Sequence, residues 1–303
     1  MRSGIGNRES GIGTTGSARR AASIPDSRFP IPALTGRLLL NATLILGALL
    51  ALAPILWMIS ASLMPTGEAS TYPPRILPSR VTFEHYEALF TRLNLGRYLF
   101  NSALISFVVT ILSLAINSMA GYAFAKLRFR GRERLFQLLS AGLVLPVQVA
   151  MLPLFLLMKQ LGLINTYWGV IIPGLASIFG IFLIRQYAQA IPDDMLDAAR
   201  IDGASEIRIY RSVVLPGIVP ILATLAIWTF LATWNDFMWP LIVLSDESRY
   251  TLPVALANLV GEHVQDTELM MAGSVLTTLP VLLVFLFLQR YYIQGVMAGS
   301  VKG

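Results

Sequence analysis

The sequence contains no cysteine. Disulfides, thiolate metal sites and cysteine nucleophiles are therefore excluded, and compartment has to be read from topology. Histidine occurs only at His85 and His263, neither of them within His-Glu-x-x-His, and Gly-x-Ser-x-Gly is absent as well. No metal or triad constellation is left to support a membrane enzyme, and both histidines are expected at the surface of loops. Lysine occurs only at Lys126, Lys159 and Lys302, none of them preceded by Gly-x-x-x-x-Gly. A P-loop needs that lysine and its glycine-rich backbone to hold phosphate, so this chain is not an ATPase. Charged residues make up 13% of the chain, against about 25% in a soluble domain. With 55% hydrophobic residues, the composition is that of a membrane protein.

What the chain has in quantity is long apolar runs. Six are expected to span a bilayer as helices, at about 38–64, 98–125, 135–158, 167–186, 213–244 and 268–292. The fold class is thus all-α and polytopic. The first run is too long for the core of a cleavable signal peptide and is expected to stay attached. Residues 1–36, rich in Gly, Ser and Arg, are expected to form a disordered tail ahead of one six-span domain over 37–303. Pro146, Pro153 and Pro173 interrupt spans three and four, which predicts that those helices pack within protein, where neighbours satisfy the freed backbone groups. Gly and Ser recur in spans two to six, as helices that approach closely require.

Basic residues orient the spans. The tail together with Arg37 holds six, the loop 126–134 five, the loop 185–211 four and the C-terminal end two, against four, one and one in the remaining loops. The positive-inside rule places the first group, and both termini, in the cytoplasm.

One polar stretch stands between apolar spans, from Ile191 to Glu206. Pro192 with Asp193 and Asp194 suits the first turn of a helix, Gly203 suits its end, and Ser205 can cap a second short helix leading to Leu215-Pro216. Met195, Ala198, Ala199 and Asp202 fall on one face, mostly small, that another protein can approach closely. An ordinary amphipathic loop helix would show the same pattern.

These residues resemble the EAA motif of the membrane subunits of bacterial ATP-binding-cassette importers. Asp197, Ala198, Ala199, Asp202 and Gly203 occupy the pattern, with Asp197 where the family more often has Glu. Two further segments extend the likeness to the maltose-type, carbohydrate branch. The first is Trp234-Asn235-Asp236-Phe237-Met238-Trp239-Pro240. The second is the ending from Gln294-Gly295 to Lys302-Gly303. The resemblance implies a non-catalytic permease subunit in the bacterial inner membrane. It further implies a homologous second permease as a heterodimer partner, two ATPase subunits that bind the ATP, and an extracytoplasmic sugar-binding protein. No cofactor of the chain itself and no nucleic acid are expected.

The resemblance assigns Asp197 to Gly203 to ATPase coupling, Trp234, Asn235 and Asp236 to the substrate path, and Gln294, Gly295 and Lys302 to a tail that reaches the ATPases. It also sets the loop of about 65–97, with Phe83, His85 and Tyr86, toward the binding protein. Asn101, Asn117 and Gln148 offer further amides to an uncharged, hydroxyl-rich sugar. Asp236 is the only acid well inside a span, whereas an ion-coupled secondary transporter, the competing reading, is expected to bury several or to show an internal repeat. A glycerol-phosphate-type polyol is the alternative substrate.

Overall fold

The computed structural model describes residues 34–262 and 266–300, with side chains left out at 34–35, 259–262, 288 and 290–300. Most of the expected tail, together with His263 and Lys302, lies outside the described residues. The chain divides into two compact units, Met1–Leu52 and Ala53–Gly303. Helix α1 (Leu34–Ala61) runs from the first into the second.

Every regular element among the described residues is helical. After α1 come α2 (Glu84–Thr91), α3 (Leu95–Lys126), α4 (Arg132–Ala141), α5 (Val147–Gln160), α6 (Tyr167–Ile171) and α7 (Ile178–Gln189). Then follow α8 (Asp193–Ile201), α9 (Glu206–Ile209), the single turn α10 (Leu215–Gly217), α11 (Val219–Trp234), α12 (Met238–Val243), α13 (Leu252–Glu262) and α14 (Thr267–Ser300). Among the described residues four stretches are long and apolar enough to cross a membrane unaided: Gly36–Ala61, Leu95–Lys126, Tyr167–Gln189 and Thr267–Phe287. Two bent pairs make up to six, Arg132–Val144 with Val147–Gln160 at 109° and Glu206–Gly217 with Val219–Trp234 at 79°.

Prolines set both bends. Leu145 and Pro146 take extended backbone, which no α-helix continues through, and Pro220 lacks the N–H that would tie α11 to the turn before it. The span expected over 135–158 is therefore two helices. Beside this bend Leu145, Val147, Val149 and Leu152 are exposed on this chain. Leu145 N–H bonds to Gly142 O and Val149 N–H to Pro146 O, so the bend satisfies part of its backbone from within.

Helix α3 is the element that the second unit is built on. It supplies Tyr122 to one core cluster (with Ile184, Leu196, Ile209, Val214 and Ile221), Ile105 and Val109 to a second (with Met158, Ile171, Trp239 and Val243), and Leu95 to a third (with Leu89, Phe230, Trp234 and Leu252). Lipid tails are as apolar as these side chains, so close packing and polar contacts, rather than removal from water, hold such helices together. A Cβ at Gly121 would meet Ile184 Cγ2 at 2.6 Å, which shows how closely α3 and α7 approach.

The segment between α1 and α2 is ordered by buried polar groups. Glu68 accepts from Arg75 NH1 at 2.8 Å and from Ser79 Oγ at 3.0 Å. Burial alone would raise its carboxyl, but the bonds from Ser79 and Arg75 outweigh burial and hold it below the usual range. Ala69 N–H donates to Glu268 Oε1 at 2.6 Å, fastening this segment to the start of α14. His85, expected at the surface, is buried, and its Nε2 lies 2.9 Å from Met64 O. Position on a short amphipathic helix, rather than residue type, decides that outcome.

Candidate functional site

The polar loop between α7 and α11 has the two short helices expected of it. Pro192 takes φ −60° and ψ 134°, and α8 begins at Asp193. Gly203 has φ +79°, the left-handed conformation that a Cβ disfavours. Gly203 N–H bonds to Arg200 O and Ala204 N–H to Ala199 O, each at 3.0 Å, closing α8 in a Schellman motif. Ser205 then caps α9, accepting from Arg208 N–H at 3.4 Å. Past α9 the backbone widens into a π-type turn over Tyr210–Val214 before Leu215-Pro216.

The loop has an inner and an outer face. Leu196 and Ile209 are each 1% exposed and sit in the core cluster around Tyr122. Ala199 and Ala204 pack half-buried against the same cluster. The face predicted from Met195, Ala198, Ala199 and Asp202 is therefore split, because Ala199 turns inward with the helix-ending motif. What remains outward is Asp197, Ala198 and Asp202 together with three large apolar side chains, Met195 at 54%, Ile201 at 86% and Ile207 at 66% exposed. Ile201 and Ile207 were missed by sequence reasoning. Two isoleucines inside a stretch otherwise polar are the signal that could have found them.

Charged groups tie the loop to the end of α3. Lys126 Nζ donates to Asp193 Oδ1 and to Ile191 O, both at 2.6 Å. The hydrogen bond and charge of Lys126 hold the Asp193 carboxyl below the usual aspartate range. Arg200 donates through NH1 to Asp197 Oδ1 at 2.7 Å and through Nε to Glu206 Oε1 at 2.9 Å, and these bonds push its guanidinium further above an ordinary arginine. Tyr122 OH donates to Glu206 Oε2 at 2.7 Å. Asp197 thus bonds within the loop through at least one carboxylate oxygen.

The second group of sequence-predicted residues lies elsewhere. The span expected over 213–244 ends at Trp234, and Asn235 and Asp236 form the break before α12. Trp234 is buried against α14, with its indole donating to Thr277 O at 3.2 Å, whereas Asn235 is exposed and Asp236 half-buried. Asp236 is not embedded in a helix interior, since its Oδ1 accepts from Trp239 N–H at 3.3 Å at the start of α12. A second acid, Glu268 in the first turn of α14, is wholly buried.

Asn101 and Asn117, expected to offer amides to a sugar, are occupied within the fold. Asn101 donates to Ser248 O and Tyr250 O and accepts from Tyr167 OH, and Asn117 donates to Ser113 Oγ and accepts from Ser177 N–H. Gln148 is exposed. Gln294 and Gly295 fall within the last turns of α14, but their side chains lie outside what is described.

A proline-bent helical bundle with a two-helix polar loop latched to its central helix is one arrangement of a transporter's membrane subunit. Comparison with known families decides the matter: residues 115–297 match the family of binding-protein-dependent transport system inner membrane components. The chain belongs to that family. It is a multi-pass, non-catalytic permease component.

This permease is similar to the arabinooligosaccharides transport system permease protein AraQ of Halalkalibacterium halodurans, at 41% identity over 84% of this chain and 93% of that one. It is also similar to the lactose transport system permease protein LacG of Rhizobium radiobacter, at 34% identity over 86% of this chain and 94% of that one. Among solved structures it matches a chain of a bacterial ABC transporter involved in the import of the acidic polysaccharide alginate. That match has a TM-score of 0.77 and 26% identity, and covers 87% of this permease and 99% of that chain.

Proposed function

We propose that the permease forms part of the translocation path for an oligosaccharide or glycoside and couples that path to a separate ATPase through the loop 191–206. The observation that carries the coupling half is the outward face of the loop. Met195, Ala198, Ile201 and Ile207 are exposed on a loop whose other side is packed into the bundle, so another protein must cover them to remove that apolar surface from water. Five basic residues in 126–134 and four in 185–211 support a cytoplasmic position for this side, where ATP is bound by the ATPase subunits.

The substrate half rests on relatives named for arabinooligosaccharides and lactose, which favour a sugar over a glycerol-phosphate polyol. Of the residues assigned to the path, Asn235 and Asp236 keep that role here, and Trp234 supports them from the core. A second, homologous permease, two ATPase subunits and an extracytoplasmic sugar-binding protein complete the importer in the inner membrane. When the ATPase pair closes on ATP, α8 moves with it and the spans open to the opposite side.

The test is uptake in a strain lacking the gene, across sugars, glycerol phosphodiesters and amino acids. Loss of uptake of one oligosaccharide or glycoside is expected. It should be restored by the wild-type gene but not by Ala198→Glu, which sets a charge on the outward face. Loss confined to amino acids or peptides would overturn the sugar, and full rescue by Ala198→Glu would overturn the coupling face.

A further inference from the structure

Three α3 side chains, Ser118, Tyr122 and Lys126, are spaced four residues apart and form one stripe, and each is bonded to the loop or to the turn that follows it. Ser118 Oγ lies 2.6 Å from Tyr210 OH, and the Tyr122 and Tyr210 rings are 5.9 Å apart. The middle contact is the one that continues. From Tyr122 OH the bonds run to Glu206, from Glu206 to Arg200 and from Arg200 to Asp197, at 2.7, 2.9 and 2.7 Å. One unbroken chain of side chains therefore links α3 to α9 and then to α8, although α3 is joined to neither in sequence.

Apolar contact alone would leave this junction loose. Leu196 and Ile209 anchor the loop in the core, but hydrophobic contact is non-directional and lets a short helix slide or tilt. The backbone between α8 and α9 passes through Gly203 at φ +79°, and glycine has the widest backbone freedom of any residue, so the two hydrogen bonds of the helix-ending motif are what the turn itself sets against a change of angle. Charged hydrogen bonds are directional, and a bidentate guanidinium fixes the angle between the groups it bridges. Arg200 bridges Asp197 on α8 and Glu206 on α9, across that glycine turn.

We infer that Tyr122 is a positioning residue which, through Glu206 and Arg200, locks the angle of α8 to α3, so that a displacement of α8 is delivered to the central span instead of being absorbed at Gly203. The inference rests on the reading that the loop carries motion from the ATPase. It assigns Arg200 and Glu206 a role in transmission, and gives Asp197 an internal one besides any contact with a partner.

The experiment uses the whole transporter, reconstituted with its ATPase and binding protein, and reads substrate taken up per ATP hydrolysed. Tyr122→Phe keeps the ring in the core and removes only the hydroxyl. Arg200→Gln lies on the water side and leaves the bundle untouched. Each is expected to retain the ATPase and its basal hydrolysis while the uptake-to-hydrolysis ratio falls about fivefold, the factor that one ordinary hydrogen bond is worth. Their combination should fall no further than either alone, because both cut the same chain.

An unchanged ratio in Arg200→Gln would overturn the inference, as would uptake and hydrolysis falling in proportion in both variants. Ala198→Glu is the control. If it loses the ATPase while Tyr122→Phe and Arg200→Gln keep a normal ratio, the coupling loop stands and the lock does not. If Ala198→Glu transports normally as well, the coupling reading itself has failed.

Discussion

The two ends of α3 fasten loops by opposite chemistry. At one end Asn101 and Ser102 are buried and neutral, and their partners are backbone groups of Ser248, Tyr250 and Leu252 and the neutral hydroxyl of Tyr167. At the other end Tyr122 and Lys126 reach charged side chains, Glu206 and Asp193, whose own surroundings are open to water. A buried neutral amide that loses its partners strands several polar groups at once, so the first end is a permanent seam. Exposed ion pairs are weak individually because water competes for them. The second end is therefore held by several replaceable contacts around a packed centre, which suits a junction that transmits force without being the source of stability.

The largest stability effect should come from breaking the seam. Asn101→Leu fills the volume but leaves Tyr167 OH and the Ser248 and Tyr250 carbonyls unpaired, and should cost about 3 kcal/mol. Thermal unfolding of the purified complex in detergent would measure it, and a change no larger than that of a surface substitution would refute the permanent seam.

Next comes Gly121→Val, which drives a Cβ into Ile184 Cγ2 at 2.6 Å and toward Arg185 N at 3.1 Å. Forcing α3 away from α7 should cost about 2 kcal/mol, and should disturb the loop end more than the seam. Hydrogen exchange at the two ends would register that asymmetry, and equal loss of protection would remove it.

The smallest effect belongs to the Lys126 and Asp193 pair. Asp193 is depressed below its ordinary 3.8 by the Lys126 hydrogen bond and charge, so its contribution is present above that value and is lost as pH falls through the lowered folded value. Between pH 5 and 8 this contribution should be constant, whereas below about pH 4 the wild type should weaken slightly through this pair and Lys126→Met should not. The same acid dependence in both proteins would show that the contact contributes nothing to stability.

Much of the loop was legible in advance because its signals are local. Pro192, Gly203 and Ser205 act through the backbone of their own turns, and they start, stop and cap helices in place. The inward turn of Ala199 was not legible, since it depends on which side of α8 meets Tyr122 and Ile209. The same holds for Trp234. Apolar sequence continues past it to Leu244, but the helix stops at Asn235 and its indole is spent on Thr277. Asn101 and Asn117 looked like amides for a ligand, and only the approach of distant backbone shows that they are already occupied.

Composition, the apolar runs and the placement of basic residues determined by themselves that this is an all-helical membrane chain with a polar loop set between its spans. Those are sums over side chains, which hydrocarbon and water sort by polarity without regard to partners. The tertiary structure alone decided that α3 is the centre and that prolines turn two of the spans into bent pairs. It alone brought Tyr122 to Glu206 across 84 residues of chain. Such pairings depend on which helix surfaces fit closely enough for small residues and directional hydrogen bonds to meet, and no local pattern encodes that fit.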